Sequence, residues 1–173
     1  MSSSMNLPFY IDRLSHTAEV LSSLVQGVTP EQACWKPAAD RWSILEVVNH
    51  LDDEERDDFR ARLDSLLHHP GQPLPPIDPP RWAVERKYNE RELKESLSRF
   101  LEERRKSLEW LRSLQDPNWG NSFELPHGTI RAGDILASWA AHDLLHVRQL
   151  AKLHWEYLNR ESIPFKTEYA GPW

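Results

Sequence analysis

Two histidines four residues apart are the clearest chemical feature of the sequence. His142 and His146 lie in a segment with strong helical periodicity. Their spacing places both side chains on one face of a helix, with Cβ atoms about 5–6 Å apart, so the two imidazoles could bind one metal ion. They lie among Trp139, Leu145 and Leu150, on the apolar face that we expect to point inward. A buried imidazole needs a partner, which a metal ion, a carboxylate or a water molecule could supply.

A third histidine, His50, is predicted on a similar inward face. It shares a helical stripe with Val47 and Leu51, and Glu54 follows one turn later. Three nitrogen ligands leave a fourth position for water or substrate, which is typical of catalytic rather than structural zinc sites. The alternative from spacing alone is that the three histidines are ordinary core residues, because histidine pairs at this spacing also arise by chance.

Glu54 and Gln149 are further candidates for this site. Glu54 could be a fourth ligand, an acceptor for a histidine N–H or a general base. Against these roles, the run DDEERDD at 52–58 favours a solvated acidic face. Gln149 follows three residues after His146 and could hydrogen-bond within the site, or it could be a surface amide.

Four other residues that could do chemistry are expected to lie outside the centre. Asp143 should point sideways and pair with a neighbouring helix. His154 lies two turns beyond the histidine pair, about 12 Å along the helix axis, which is too far to share an ion. His127 is expected to be a plain loop residue, although it could approach the open end of a bundle. Cys34 lies in a predicted loop where nothing marks it as an activated nucleophile.

Composition excludes several classes of function. The net charge is −6, from 21 basic and 27 acidic residues, which argues against a partner with a phosphate backbone. The single cysteine cannot form an intrachain disulfide. No apolar run approaches the roughly 20 residues that span a bilayer, and no signal peptide is visible. We therefore expect a soluble cytoplasmic protein that binds neither nucleic acid nor membrane.

Four segments with helical periodicity must position the histidines. Ser43 with Glu46 forms a capping box at the start of the second segment, and Asn89 with Glu92 repeats this pattern at the start of the third. No convincing alternating strand is present. The pattern predicts an all-α fold, a four-helix bundle in a single domain spanning residues 1–173. The predicted helices cover residues 8–26, 43–68, 89–114 and 129–159.

A proline-rich connection joins the second and third predicted helices. It holds six prolines in residues 70–80 and should be largely extended. The roughly 20 residues of 69–88 could reach about 60 Å, whereas a 26-residue helix is about 39 Å long. The connection could therefore return along the whole bundle, which would make the second and third helices parallel. A loose surface loop is the alternative.

Two sequence motifs resemble the DinB-like (damage-inducible) metalloprotein superfamily. The motifs are WSILEVVNHL at 42–51 and HDLLHVRQL at 142–150. The resemblance implies a four-helix bundle with up-down-down-up topology, and it extends over nearly the whole chain. It also implies that His50, His142 and His146 ligate a divalent metal ion. Zinc or nickel is the expected ion, with iron or manganese as alternatives.

The resemblance also implies a function. Relatives in this superfamily include metal-dependent S-transferases that use a low-molecular-weight thiol such as bacillithiol or mycothiol. We therefore expect a small-molecule thiol and an electrophile as partners, and a homodimer. The alternatives are a metal-dependent hydrolase, a non-catalytic metal-binding stress-response protein, and a helical interaction module whose histidines bind no metal.

Overall fold

Four long helices pack together in the computed structural model, which describes residues 5–126 and 128–173. The second of these runs continuously from Ile44 to His68 and includes a π-helical segment. The all-α four-helix bundle predicted from periodicity is therefore confirmed. The bounds are Leu7–Val25 for α1, Ile44–Asp53 for α3, Glu54–Arg60 for the π-helical segment, Ala61–His68 for α4, Leu93–Ser113 for α6 and Ala132–Ser162 for α7.

Shorter elements occupy the connections between the bundle helices. Two are α-helices, α2 and α5, and two are single 3₁₀ turns. Two short strands pair antiparallel, with Ser122 opposite Arg131. The bounds are Pro30–Cys34 for α2, Pro79–Glu85 for α5, Tyr88–Glu90 and Glu168–Ala170 for the 3₁₀ turns, Ser122–Leu125 for β1 and Gly128–Arg131 for β2.

Contacts between α6 and the second bundle helix show that these two helices are parallel. Asp52 contacts Arg99, and further along both helices Arg60 contacts Glu103. Residue numbers therefore increase in the same direction on both helices. The parallel arrangement predicted from the proline-rich connection is confirmed.

The remaining helix directions complete the topology. α7 runs antiparallel to α3 and parallel to α1, so the four bundle helices follow an up-down-down-up order. The pairs that establish this are His50–His146 and Glu55–Trp139 between the second bundle helix and α7, and Thr17–Asp143 and Leu24–His154 between α1 and α7.

The capping boxes predicted at two helix starts have different outcomes. At Ser43 the box is present, because the hydroxyl accepts from Glu46 N and the Glu46 carboxylate accepts from Ser43 N. The predicted start at Asn89 is wrong, since α6 begins four residues later at Leu93. Asn89 Oδ1 accepts instead from the Ser43 hydroxyl (2.5 Å), and its amide donates to the carbonyl of Cys34. A tertiary contact has replaced the local cap.

The β-hairpin was not expected, and it displaces the predicted start of the last helix. Thr129 lies in β2, so α7 begins three residues later at Ala132. The β-branched Thr129 and Ile130 pair across the hairpin with Glu124 and Phe123. Each strand has four residues, which is too short for an alternating pattern to stand out.

The proline-rich connection is only partly extended as predicted, because α5 forms within residues 69–88. Asp78 caps this helix by accepting from Arg81 N, and prolines occupy its first turn. Proline is tolerated there because the first N–H groups of a helix have no intrahelical partner.

The core consists of two apolar clusters that follow each other along the bundle. One surrounds Trp139 and the other surrounds Phe100. Leu145, which was expected to face inward, is 53% exposed, so the predicted apolar face of α7 is narrower than its sequence indicates. No helix within the described ranges combines the length and hydropathy of a membrane span.

Candidate metal centre

Three histidines from two helices converge between the apolar clusters. His142 Nε2 lies 3.4 Å from His50 Nε2 and 3.1 Å from His146 Nε2. One nitrogen from each ring can be chosen so that all three lie within 4.8 Å of one another. Two nitrogens bound tetrahedrally to one zinc ion at about 2.0–2.1 Å would be about 3.3 Å apart. The spacing of the Nε2 atoms therefore fits a shared divalent ion.

The local fold explains why these rings meet. The capping box at Ser43 fixes the start of α3, and His50 lies two turns further on. His142 and His146 are four residues apart on α7, so they point to the same side of that helix. The packing of α7 against α3 brings this pair to the single histidine of α3.

Aromatic side chains surround two of the three imidazoles. Trp42 packs edge-on against His50, with ring centroids 4.8 Å apart, and Phe59 packs against His142 at 5.0 Å. Trp139 stacks on Phe59, with ring centroids 5.7 Å apart, rather than on a histidine. The walls of the centre are therefore largely apolar, which strengthens electrostatic interactions within it.

Burial keeps the three imidazoles neutral. Burial, reinforced by the neighbouring histidines, lowers the pKa of His50 to about 2 and that of His142 to about 4. Burial also lowers the pKa of His146, while Gln149 and Asp143 act in the opposite direction. A histidine must be neutral to bind a metal ion, so each ring has a nitrogen lone pair available at neutral pH.

Glu54 lies behind His50 and not in the centre. Its Oε1 is 3.7 Å from His50 Nδ1, the ring nitrogen opposite the one that faces the other histidines. Neither atom has a hydrogen-bond partner among residues 5–126 and 128–173. If the two side chains moved slightly closer together, Nδ1–H of His50 could donate to the Glu54 carboxylate. The Nε2 lone pair would then be directed at the centre. This placement suits a hydrogen-bond acceptor for His50 and does not suit a fourth ligand of the metal ion.

The acidic run at 52–58 does not form the solvated face that was expected. Five of its carboxylates are buried, and that prediction is wrong. Burial raises the pKa of Glu54 to about 9, and a hydrogen bond with Asp58 and the negative charge of Asp58 act in the same direction. A cation at the histidines would lower this pKa, because a neighbouring positive charge favours the carboxylate. The buried acids are Asp52, Asp53, Glu54, Glu55 and Asp58.

A buried ionic network next to the centre joins all four bundle helices. Arg104 of α6 donates to Glu55 (2.8 Å) and makes two hydrogen bonds to Asp143 (2.6 and 2.9 Å). Thr17 of α1 donates to Asp143, and the indole of Trp139 donates to Glu55. Asp143 thus pairs with a neighbouring helix, as predicted. The sequence gives no signal for Arg104, which lies in a charged stretch typical of a helix surface.

The other candidate residues lie around the centre or away from it. Gln149 is half-buried on α7 beside His146. The His154 ring contacts Gln32 and the carbonyl of Leu24, away from the three histidines. His127 lies outside the described residues.

Cys34 is also away from the three histidines. Its thiol is exposed and lies 3.6 Å from the carbonyl of Asn89. The sulfur lies where α2 contacts the 3₁₀ turn Tyr88–Glu90, so it is not placed to act on a molecule held by the histidines.

Comparison with known proteins identifies the family. The sequence profile of the DinB superfamily matches residues 13–150, a range that includes all three histidines. The chain belongs to the DinB superfamily. A solved structure with a similar fold is YfiT from Bacillus subtilis, described as a probable metal-dependent hydrolase with an unusual four-helix bundle topology. It matches with a TM-score of 0.77 and 20% identity, over 88% of this chain and 89% of that one. No curated protein matches significantly.

Proposed function

We propose that this protein is a divalent-metal-dependent enzyme whose ion is held by His50, His142 and His146. The observation that carries the proposal is the convergence of three neutral imidazole nitrogens at distances that suit one ion. The cluster includes no fourth protein ligand among the described residues. A set of three ligands with one open position is typical of catalytic zinc sites.

The residues around the ligands would prepare the centre for reaction. A bound divalent ion would supply Lewis-acid chemistry and lower the pKa of a thiol or a water molecule at its open position. Trp42 and Phe59 exclude bulk water from two of the ligands. A small movement of Glu54 towards His50 would let its carboxylate accept a hydrogen bond from Nδ1–H, which would keep Nε2 directed at the centre.

The nucleophile in this proposal is a small molecule and not a protein side chain. Cys34 lies elsewhere, and no serine or cysteine nucleophile paired with a histidine is found among the described residues. We favour a low-molecular-weight thiol of the bacillithiol type, transferred to a soft electrophile. The resemblance of the sequence motifs to a superfamily that includes thiol-dependent transferases supports this choice.

Hydrolysis is the second candidate. YfiT of Bacillus subtilis, which shares the fold, is described as a probable metal-dependent hydrolase. The same three histidines would then hold an ion whose open position takes a water molecule in place of a thiol. A non-catalytic role is less favoured, because the position of Glu54 behind His50 leaves the fourth ligand position open.

Activity assays on zinc- and nickel-loaded untagged protein would test the proposal. We expect the loaded protein to accelerate conjugation of bacillithiol or mycothiol to monochlorobimane. His142→Ala should lose this activity together with the metal, and Cys34→Ser should keep it. Hydrolysis of an ester and amide panel without thiol conjugation would favour the second candidate. A loaded protein that does neither would support the non-catalytic role.

A further inference from the structure

An open concavity of about 410 Å³ lies on a different face of α3 from His50. Asp52 is two residues beyond His50, so its side chain leaves the helix about 200° away. We call this concavity the arginine pocket. It is lined by Asp52, Asp53, Arg56, Arg86, Arg91 and Arg99.

Two of the four arginines in the arginine pocket are neutralised by Asp53 and by Asp57, which is not part of its lining. Arg56 donates to Asp53 (2.8 Å) and to Asp57 (2.9 Å). Arg86 contacts the same two carboxylates at 2.7 and 2.9 Å. These two arginines and two aspartates therefore form a closed set of ion pairs with no charge left over.

The charges of the other two arginines are incompletely neutralised. Arg91 and Arg99 both donate to Oδ1 of Asn49, at 2.8 and 3.1 Å, and Asn49 is neutral and fully buried. Arg91 forms no ion pair with any described residue, and the nearest carboxylate to Arg99 is Asp52 at 3.6 Å. Two guanidinium groups beside one neutral oxygen repel each other, so an anion between them would be stabilising.

Asp52 lacks a hydrogen-bond donor in the same pocket. Its side chain is 2% exposed, and Oδ1 has no hydrogen-bond partner among the described residues. The nearest cationic atoms are Arg99 Nε at 3.6 Å and Arg56 Nη1 at 4.0 Å. A buried carboxylate without a donor is costly. The pocket thus has room for an anion beside Arg91 and Arg99, next to a position at Asp52 where a hydrogen-bond donor is missing.

We propose that the arginine pocket binds a small zwitterion of the α-amino-acid type. Its carboxylate would lie between Arg91 and Arg99, and its ammonium would donate to Asp52. The two groups of an α-amino acid are separated by one carbon atom, which suits the short distance between Arg99 and Asp52. A simple anion would instead leave Asp52 without a donor and beside a like charge. This site is separate from the metal centre and independent of the proposed function.

Calorimetric titration of the metal-free full chain tests this proposal. The metal-free form is required because amino acids are themselves zinc ligands. We expect L-alanine or L-glutamine to bind with a dissociation constant on the order of 1 mM. The N-acetyl derivative lacks the ammonium and the amide derivative lacks the carboxylate. Both should bind at least about tenfold more weakly, because each loses a charge-assisted hydrogen bond.

Three variants locate the binding. Arg99→Gln should weaken amino-acid binding at least about tenfold. Asp52→Asn should weaken binding of the free amino acid more than binding of its N-acetyl derivative. Arg81→Gln is the matched control, since Arg81 is exposed on α5 and pairs with Glu85 outside the pocket. It should leave the affinity unchanged, and thermal unfolding of each variant reports whether it is folded.

Three outcomes would overturn the proposal. If none of the amino acids binds, the cluster is purely structural. If inorganic phosphate or the N-acetyl derivative binds more tightly than the free amino acid, the pocket is an anion site. If Arg99→Gln binds as well as the unaltered chain, the amino acid binds elsewhere.

Discussion

At the scale of single residues, surroundings separate the three histidines of the centre from the others. His68 forms an exposed pair with Asp64, whereas His50 is almost completely buried. The spacing of His142 and His146 was enough to predict that they share a face. The burial of Glu54 could not be predicted, because it depends on how the helices pack, which a local acidic run does not reveal.

The lowered pKa values predict how zinc binding depends on pH. With the ordinary histidine pKa of about 6.5, occupancy would fall once the pH drops below about 6.5. Burial moves this threshold down, because His142 has a pKa of about 4 and His50 of about 2. Burial lowers the pKa of His146 as well. We expect zinc affinity to stay nearly constant from pH 7.5 to 6.5 and to be lost as the pH approaches 4. Competitive zinc titrations would measure this, and an affinity that has already fallen several-fold at pH 6.5 would contradict it.

Replacing Glu54 by glutamine tests its role behind His50. The variant keeps the volume of the side chain but removes the anionic acceptor for Nδ1–H. We expect it to bind one zinc ion with an affinity about 10–100-fold lower. Glu109→Gln, an exposed change on α6, is the control. Complete loss of zinc would indicate that Glu54 is a ligand, and an unchanged affinity would remove it from the centre.

At the scale of elements, the sequence predicted the helices better than their ends. The capping box at Ser43 is a local signal, and the helix start that it predicts is confirmed. Asn89 has an equally good local pattern, but it bonds to Ser43 and Cys34 instead. The π-helical segment Glu54–Arg60 has no sequence signal either. Its contacts to α6, Glu55 with Arg104 and Arg60 with Glu103, form only in the folded bundle.

The helix start at Ser43 should contribute measurably to stability. The Ser43 hydroxyl is buried, accepts from Glu46 N and donates to Asn89. Ser43→Ala should reduce the free energy of unfolding by about 1–2 kcal/mol, because it removes a cap and leaves the buried Glu46 N–H without its acceptor. Urea unfolding would measure the difference. Ser23→Ala, on the exposed side of α1, should change it by less than about 0.5 kcal/mol, and equal effects of the two changes would contradict the account.

At the scale of the whole molecule, the predicted bundle and the parallel second and third helices are both found. The length of the proline-rich connection predicted the parallel direction, because a connection that can span the bundle permits consecutive helices to be parallel. The ionic network around Arg104 was not predicted. It arises only when residues from all four bundle helices meet, and no single segment contains its pattern.

Removing Arg104 should weaken the whole bundle. Arg104→Leu would leave Glu55 and Asp143 buried without their cation. Breaking a buried ion pair in this way costs about 3–5 kcal/mol, so the free energy of unfolding should fall by a comparable amount. Chemical unfolding would measure this. Arg105→Leu, next in sequence but exposed, should leave stability essentially unchanged. If the two variants are equally stable, the network does not hold the helices together.

The central claim is that three histidines from α3 and α7 hold one divalent ion. Elemental analysis of untagged protein after equilibration with zinc tests it most directly, because a histidine tag would add ligands of its own. We predict about one equivalent of zinc for the unaltered chain and for His154→Ala, and almost none for His146→Ala. An unaltered chain without zinc, or a His146→Ala variant that keeps its full zinc content, would contradict the claim.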